Sequence, residues 1–169
     1  DVQVWSDTVS GQEVSSCAHQ WFSDALSRHV RLVCMPQNTV RSVDPEFPRP
    51  GDQVGFADGF SFLLLSQASL DDLTTRTGMK IDASRFRPNL VIDDTVAFAE
   101  DDYTSFVIND IRFRAVKPCS RCVIPTIDPL SGKKQPMINK VLAEYRKRDG
   151  SIMFGQNLIH DGLGVLKVD

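Results

Sequence analysis

The apolar residues of this chain come in short runs, and that packaging limits the fold more than any other feature. FSFLLL (60–65), NLVI (89–92), SFVI (105–108) and IRFRAV (111–116) are separated by turn residues such as Pro88, Asp93 and Asn109-Asp110. Runs of this length, rich in branched and aromatic side chains, suit strands, and the breakers between them turn the chain back. FSFLLL reads as a buried strand, and Asn109-Asp110 joins SFVI to IRFRAV as a hairpin. Within IRFRAV, Ile111, Phe113 and Ala115 alternate with Arg112, Arg114 and Val116, the half-exposed pattern of a barrel or edge strand. VQVW (2–5), VRLVCM (30–35), NLIH (157–160) and GVLKV (164–168) add shorter strands.

Three segments carry a helical period instead. Over 14–28, Ala18, Trp21, Phe22, Ala25 and Leu26 recur three and four apart, which predicts one apolar stripe turned toward a core. Ser69 with Asp72 resembles a capping box for a helix ending near Gly78. Pro136 opens MINKVLAEYRKR, an amphipathic helix whose basic end suits the C-terminal end of its dipole. Strands outnumber helices, so the expected class is β-rich α+β, a β-barrel with a few peripheral helices. Residues 36–55 hold Pro36, Pro45, Pro48 and Pro50 with Gly51 and Gly55. Proline at that density predicts a long loop without packing of its own, among the most mobile parts of the chain.

A chain of 169 residues is about the size of one domain. Its net charge of −3 argues against a general nucleic-acid partner, which would show a basic face. No run of about 18 apolar residues occurs, so no membrane span is expected. The opening DVQVWSDTVSG lacks the regions of a signal peptide, and VQVW starts in mid-stride, as in a fragment of something longer. Four cysteines, at 17, 34, 119 and 122, are too few and too uneven for a disulfide scaffold; a reducing, cytoplasmic setting follows.

Cys119 and Cys122 form C-x-x-C, and four readings compete. A tetrahedral zinc site needs two more ligands, and Cys17, His19, His29, Cys34 and His160 lack the spacing. A redox dithiol would sit at a helix N-terminus, whereas Pro125, Pro129 and Gly132 follow here. The pair could be two buried small hydrophobes. It could also supply one thiolate to a soft metal, the other cysteine being structural. The residues alone leave all four open. Asp93-Asp94 and Glu100-Asp101-Asp102 read as solvated acidic loops, and His160 as a turn residue. No nucleophile elbow, P-loop or dinucleotide turn is present.

Five blocks, FADGF (56–60), SQASLDDL (66–73), RFRPNLVI (85–92), KPCSRCVIPTIDP (117–129) and FGQNLI (154–159), resemble in content and order the MOSC domain. That family is named for the C-terminal domain of molybdenum cofactor sulfurase, and the branch resembled holds the mitochondrial amidoxime-reducing component and its bacterial relatives. The resemblance implies a MOSC-type β-barrel and a molybdenum–molybdopterin cofactor. It implies a MOSC domain at 51–169, with 1–50 the tail of a truncated N-terminal region plus the proline-rich loop. Cys122 becomes the metal ligand and catalytic centre. Arg87 and Asn89 would bind the pterin and phosphate end, Ser120, Arg121 and Asn157 would line the pocket, and Gly59 and Phe60 would add a backbone contact.

The residue types suit those implied roles. A thiolate is the soft anionic donor such a metal accepts, and Arg121 and Lys117 nearby would favour the anion. Arg87 offers a planar fork for phosphate. Pro88 fixes the backbone before Asn89, whose amide both donates and accepts. One compact cofactor touching both segments requires C-x-x-C to lie at a loop or strand end beside FRPN. The implied reaction is two-electron reduction of a small N-hydroxylated, N-oxide or S-oxide substrate, with electrons from a separate redox protein or ferredoxin-like domain. The alternative is a non-catalytic carrier of sulfur or molybdenum cofactor, in which C-x-x-C relays persulfide sulfur. Full-length relatives place basic residues for the cofactor on an N-terminal subdomain, so this chain alone is expected to hold cofactor weakly.

Overall fold

Short strands near the N-terminus pair with one another. In the computed structural model, which describes residues 1–43, 46 and 49–168, β1 (Val2–Val4) folds back on β2 (Asp7–Val9). β3 (Gln12–Glu13) pairs with β4 (Val33–Cys34), and α1 (Ser16–Leu26) lies between them in sequence. These elements belong to the first of two compact units, Asp1–Gly59; the second begins at Phe60. VRLVCM therefore yields a strand of two residues. The stripe on α1 enters no core: none of its residues is buried and Trp21 is 65% exposed. Periodicity predicts a helix with an apolar face but cannot say what covers that face.

The described residues of the proline-rich stretch have packing of their own, which the sequence does not predict. Val43 N–H donates to Asp52 O, Val54 N–H to Arg41 O, and Ser42 bridges Gln53. Val43 and Val54 are buried, and the buried Arg41 guanidinium donates to Asp7 Oδ2 and to the carbonyls of Gly55, Ala57 and Asp58. Pro45 and Pro48 lie outside the described residues.

In the second unit β5 (Phe62–Ser66) runs parallel to β6 (Leu90–Ile92), an arrangement that needs a crossover, and α2 (Gln67–Thr77) lies on it. β7 (Ser105–Ile108) and β8 (Ile111–Arg121) form the Asn109-Asp110 hairpin, with Asn109 at φ 52. α3 (Met137–Tyr145) leads to β9 (Lys147–Arg148), which turns into β10 (Ser151–Asp161). The curled mixed sheet has the order β6-β5-β10-β8-β7, with β9 beside β10. The class is β-rich α+β, as the sequence predicts, and this strand path is open from β6 to β7. Leu64 and Leu65, adjacent on β5, face opposite ways. Leu64 packs with Ile111, Phe113 and Leu158, and Leu65 with Phe86, Phe154 and the α2 and α3 residues Leu70, Leu73 and Leu142.

Several expectations are corrected here. NLIH is the end of an eleven-residue strand, and GVLKV forms none. The basic RKR end of MINKVLAEYRKR is not helical, because Asp149 (φ 48) and Gly150 (φ 81) turn it back as β9. The α2 cap is Ser66, one turn earlier than Ser69, its Oγ accepting the Ser69 N–H; Gly78 at φ 65 ends the helix. Glu100 is only 1% exposed and accepts from the Ser66 N–H and the Ser66 and Ser69 hydroxyls, so this acid caps the positive end of α2. Asp101 pairs with Arg146 and Arg148, and Arg114 is buried against Asp161.

β10 shifts register between Met153 and Gln156, and Gly155 sits in that bulge at φ 83. A Cβ there would lie 2.7 Å from both Leu64 O and Leu65 Cδ2. Gly155→Ala should therefore cost at least about 2 kcal/mol from left-handed backbone strain and overpacking. Urea unfolding checks this, and a loss below about 0.5 kcal/mol would mean that the bulge relaxes freely.

Tyr145 packs against Phe98, with the Arg76 guanidinium 4.1 Å from its ring. Burial first, and Asp72 second, push its phenol from the ordinary 10.0 up to about 12. A folded value above the unfolded one leaves this contribution intact below about pH 10 and drains it as pH rises toward 12. Denaturation midpoints of the wild type should fall across that alkaline window, and those of Tyr145→Phe should fall less.

Candidate functional site

The site forms where β8 runs out. Pro118 brings no N–H to the ladder and stands opposite Gln156, beside the bulge in β10. Beyond Arg121 the chain leaves the sheet, and Cys122 lies exposed ahead of a 3-10 turn, Ile124–Thr126. The Ile124 N–H reaches Cys122 Sγ at 3.4 Å, and Asn139 Nδ2 of α3 donates to the Cys122 carbonyl at 3.0 Å.

Two arginines tie this loop to the segment that contains FRPN. Arg85, 5% exposed, donates to Pro125 O at 3.3 Å, to Asp128 Oδ2 at 2.8 Å and to Gln135 Oε1. Arg121 donates to Phe86 O at 2.9 Å while its guanidinium lies 5.2 Å from the Phe86 ring. The segments 85–86 and 121–135 are thereby held side by side. Arg87 follows with its side chain exposed and its backbone at φ 55, a conformation that costs a non-glycine residue about 1–2 kcal/mol.

Asn89 is partly spent on the fold. Its N–H donates to Leu63 O and its Oδ1 accepts the Leu63 N–H at 2.8 Å. The amide keeps its donors and one further acceptor position on Oδ1 for a ligand. Leu63 stands opposite Asn157, and Asn157 opposite Lys117, so one row crosses the sheet from Asn89 to Lys117. Lys117 Nζ lies 5.3 Å from the Phe60 ring. Ser120 is exposed opposite Met153, and Gly59 belongs to the first unit. The structure thus groups Arg121 and Cys122 with the FRPN segment, and Asn89, Asn157, Lys117 and Phe60 along one row.

One electrostatic expectation is corrected. The Arg121 guanidinium sits 3.1 Å from Cys119 Sγ rather than on Cys122. Cys119 and Arg121 are two apart on β8 and share a face, whereas Cys122 has left the strand. All four cysteines are free thiols, Cys119 half-buried and the others exposed.

Among the described residues no group of three His, Cys, Asp or Glu stands together to hold a metal ion, so a zinc cage lacks donors. A soft metal that arrives with its own sulfur ligands needs a single thiolate, which Cys122 presents at the surface. Arg121 Nε and Asn139 Oδ1 are buried without hydrogen-bond partners. Each such atom costs about 1–3 kcal/mol until something meets it: Arg121 Nε is a donor that suits an anionic group beside the thiol, whereas Asn139 Oδ1 is an acceptor that calls for a donor. Sequence reasoning missed Arg85 and Asn139, because burial of an arginine or asparagine leaves no mark in a local pattern.

Residues 51–169 match the family described as MOSC domain. The chain is 34% identical over 177 residues to mitochondrial amidoxime-reducing component 1 of Homo sapiens, covering 95% of this chain and 51% of that protein. It is 32% identical over 183 residues to mitochondrial amidoxime reducing component 2 of Bos taurus, covering 99% and 54%. It is 31% identical over 182 residues to component 1 of Danio rerio, covering 99% and 55%. The chain spans about half the length of these curated relatives.

Arg85→Ala should cost about 3 kcal/mol, since it removes a buried fork and strands the acceptors. Arg85→Lys keeps the charge but loses the fork, and Cys122 should then alkylate faster with iodoacetamide than in the wild type. Unchanged stability and labelling in both variants would show that the loop holds itself through the turn in which the Ser131 N–H and hydroxyl donate to Asp128 Oδ1.

Proposed function

Since the chain belongs to the MOSC domain family, we propose that it is the cofactor-binding part of a molybdenum-dependent oxidoreductase acting on small N-hydroxylated, N-oxide or S-oxide compounds. The observation that carries this reading is the exposed Cys122 thiol, pinned beside the FRPN segment by Arg85 and Arg121. Bound there, a molybdenum–molybdopterin cofactor supplies a two-electron redox centre. For an N-hydroxylated amine the balance is R–NH–OH plus two electrons and two protons to R–NH2 and water.

This chain's residues then divide the work. Cys122 Sγ ligates the metal, and the Ile124 N–H directed at it disperses the thiolate charge. Arg87 and the orphaned Arg121 Nε meet the phosphate and pterin, with the Asn89 and Asn157 amides beside them and Ser120 and Phe60 lining the rest. Arg85 and Asn139 keep the cysteine loop still, so the thiolate is presented without reorganisation. The same reading makes 51–169 the MOSC domain, 1–50 the tail of an N-terminal region, and the curled sheet the wall of a MOSC-type barrel. Electrons would come from a separate redox protein or ferredoxin-like domain. Substrate class is supported by the relatives, which are named amidoxime-reducing. Free thiols suit a reducing compartment, which we take as the cytoplasm; the relatives carry mitochondrial in their names. No helix among the described residues is long and apolar enough to cross a membrane.

A sulfur or cofactor carrier is the second reading, favoured by the Arg121–Cys119 contact, since a persulfide relay uses a second thiol held in place. The two separate by substitution in the full-length protein from a cofactor-competent host. Cys122→Ser should lower reduction of an N-hydroxylated base at least about a hundredfold with loss of molybdenum, while Cys119→Ser keeps both. If Cys119→Ser abolishes function as fully as Cys122→Ser, the carrier reading replaces this one.

A further inference from the structure

The first unit, Asp1–Gly59, contains an open pocket of about 770 Å³. Two local features build it. The turn between β1 and β2 is Trp5-Ser6, with Trp5 at φ 55, a conformation that Asn or Gly adopts more readily. That turn stands the indole outward: Trp5 is 74% exposed, and its Nε1–H donates to Asp58 Oδ1 at 3.3 Å. The second feature is Arg41, whose buried guanidinium gathers Asp7 Oδ2 and the carbonyls of Gly55, Ala57 and Asp58 into one wall. Four of its five N–H donors are spent there.

The lining leaves carboxylate oxygens in excess. Among the described residues, Asp7 Oδ1 and Asp58 Oδ2 accept no hydrogen bond. The charged side chains that line the pocket are these two carboxylates and one guanidinium already met by protein acceptors. Thr8 and Ser42, whose hydroxyls are further acceptors, line it as well. An indole face is the negative side of the ring quadrupole and attracts a cation within about 6 Å of its centre.

We propose that this pocket binds a small organic cation with N–H donors, a protonated amine or guanidine, against the Trp5 face and the free oxygens of Asp7 and Asp58. An anion would find Arg41 already engaged and two carboxylates facing it. An apolar ligand would strip water from those carboxylates and give them no donor in return. A cation that donates N–H bonds meets both demands at once, since a charge-assisted bond to a carboxylate is about twice as strong as a neutral one. The same group is carried by free amines and guanidines and by the lysine and arginine side chains of proteins, and the test separates these sources.

The test follows the Trp5 indole N–H resonance in the isotope-labelled full-length protein, assigned by its loss in Trp5→Phe, as methylguanidinium chloride is added. Methylurea, of the same shape without the charge, is the control, and a blocked Gly-Gly-Arg-Gly-Gly peptide presents the cation on a chain. The resonance should move saturably with methylguanidinium and stay still with methylurea, and the affinity should fall as salt is raised. Asp58→Asn changes an exposed side chain and keeps an oxygen for the indole N–H, so the fold should tolerate it. That variant should bind at least about tenfold more weakly by calorimetry, and Trp5→Leu should also weaken binding. Peptide binding at least as tight as that of methylguanidinium assigns the cation to a protein side chain, and weaker peptide binding assigns it to a free small molecule; both uphold the pocket. No saturable movement, equal movement with methylurea, or wild-type affinity in both variants would overturn it. No turnover is read, so the outcome stands apart from whether Cys122 ligates a metal.

Discussion

The buried Arg85 guanidinium is the contact on which the site depends. From a 3-10 turn next to FRPN it reaches a backbone carbonyl, a carboxylate and a side-chain amide on the loop that follows Cys122. Burying a guanidinium is costly unless its donors are met, and these acceptors meet them in one geometry. The cost is also what makes the arrangement specific, because any slip of the loop would leave a buried cation unpaired. Arg121 adds a second tie in the opposite direction, from the end of β8 to Phe86 O.

The rest of the second unit supports that junction with further buried charge. Glu100 holds β5 to the start of α2, and Arg146 with Asp101 holds the end of α3 to the 3-10 turn before β7. α3 thus has both ends fixed, at Cys122 through Asn139 and at Asp101 through Arg146. Packing of Phe86 on Phe154, 4.5 Å between ring centres, seats the FRPN segment on β10 beside the Gly155 bulge. The bulge, the proline in β8 and the two arginines are parts of one solution for ending a strand and presenting a thiol.

What was legible in the sequence follows from range. Turn chemistry acts locally, so the Asn109-Asp110 hairpin and the Gly78 stop could be read directly. The strand positions of FSFLLL, NLVI and SFVI could be read too, since apolar runs between breakers have few alternatives. Their pairing could not: β5 lies between β6 and β10, and nothing near residue 63 announces residue 157. Charged side chains were misread or missed for the same reason. Glu100, Asp101, Arg114 and Arg85 look like surface residues, yet their partners lie more than thirty positions away and draw them inside. The family blocks were legible through resemblance, and the structure adds detail to them, placing Arg121 on Cys119 and the Asn89 oxygen against the Leu63 N–H.

Cys122 as the protein's one ligand to molybdenum is the central claim. X-ray absorption at the molybdenum edge on the loaded full-length protein tests it most directly, because sulfur scatterers in the first shell can be counted. The account predicts that Cys122→Ser, where any metal is retained, shows one sulfur fewer than the wild type, while Cys119→Ser shows the wild-type number. An unchanged sulfur count in Cys122→Ser would contradict it.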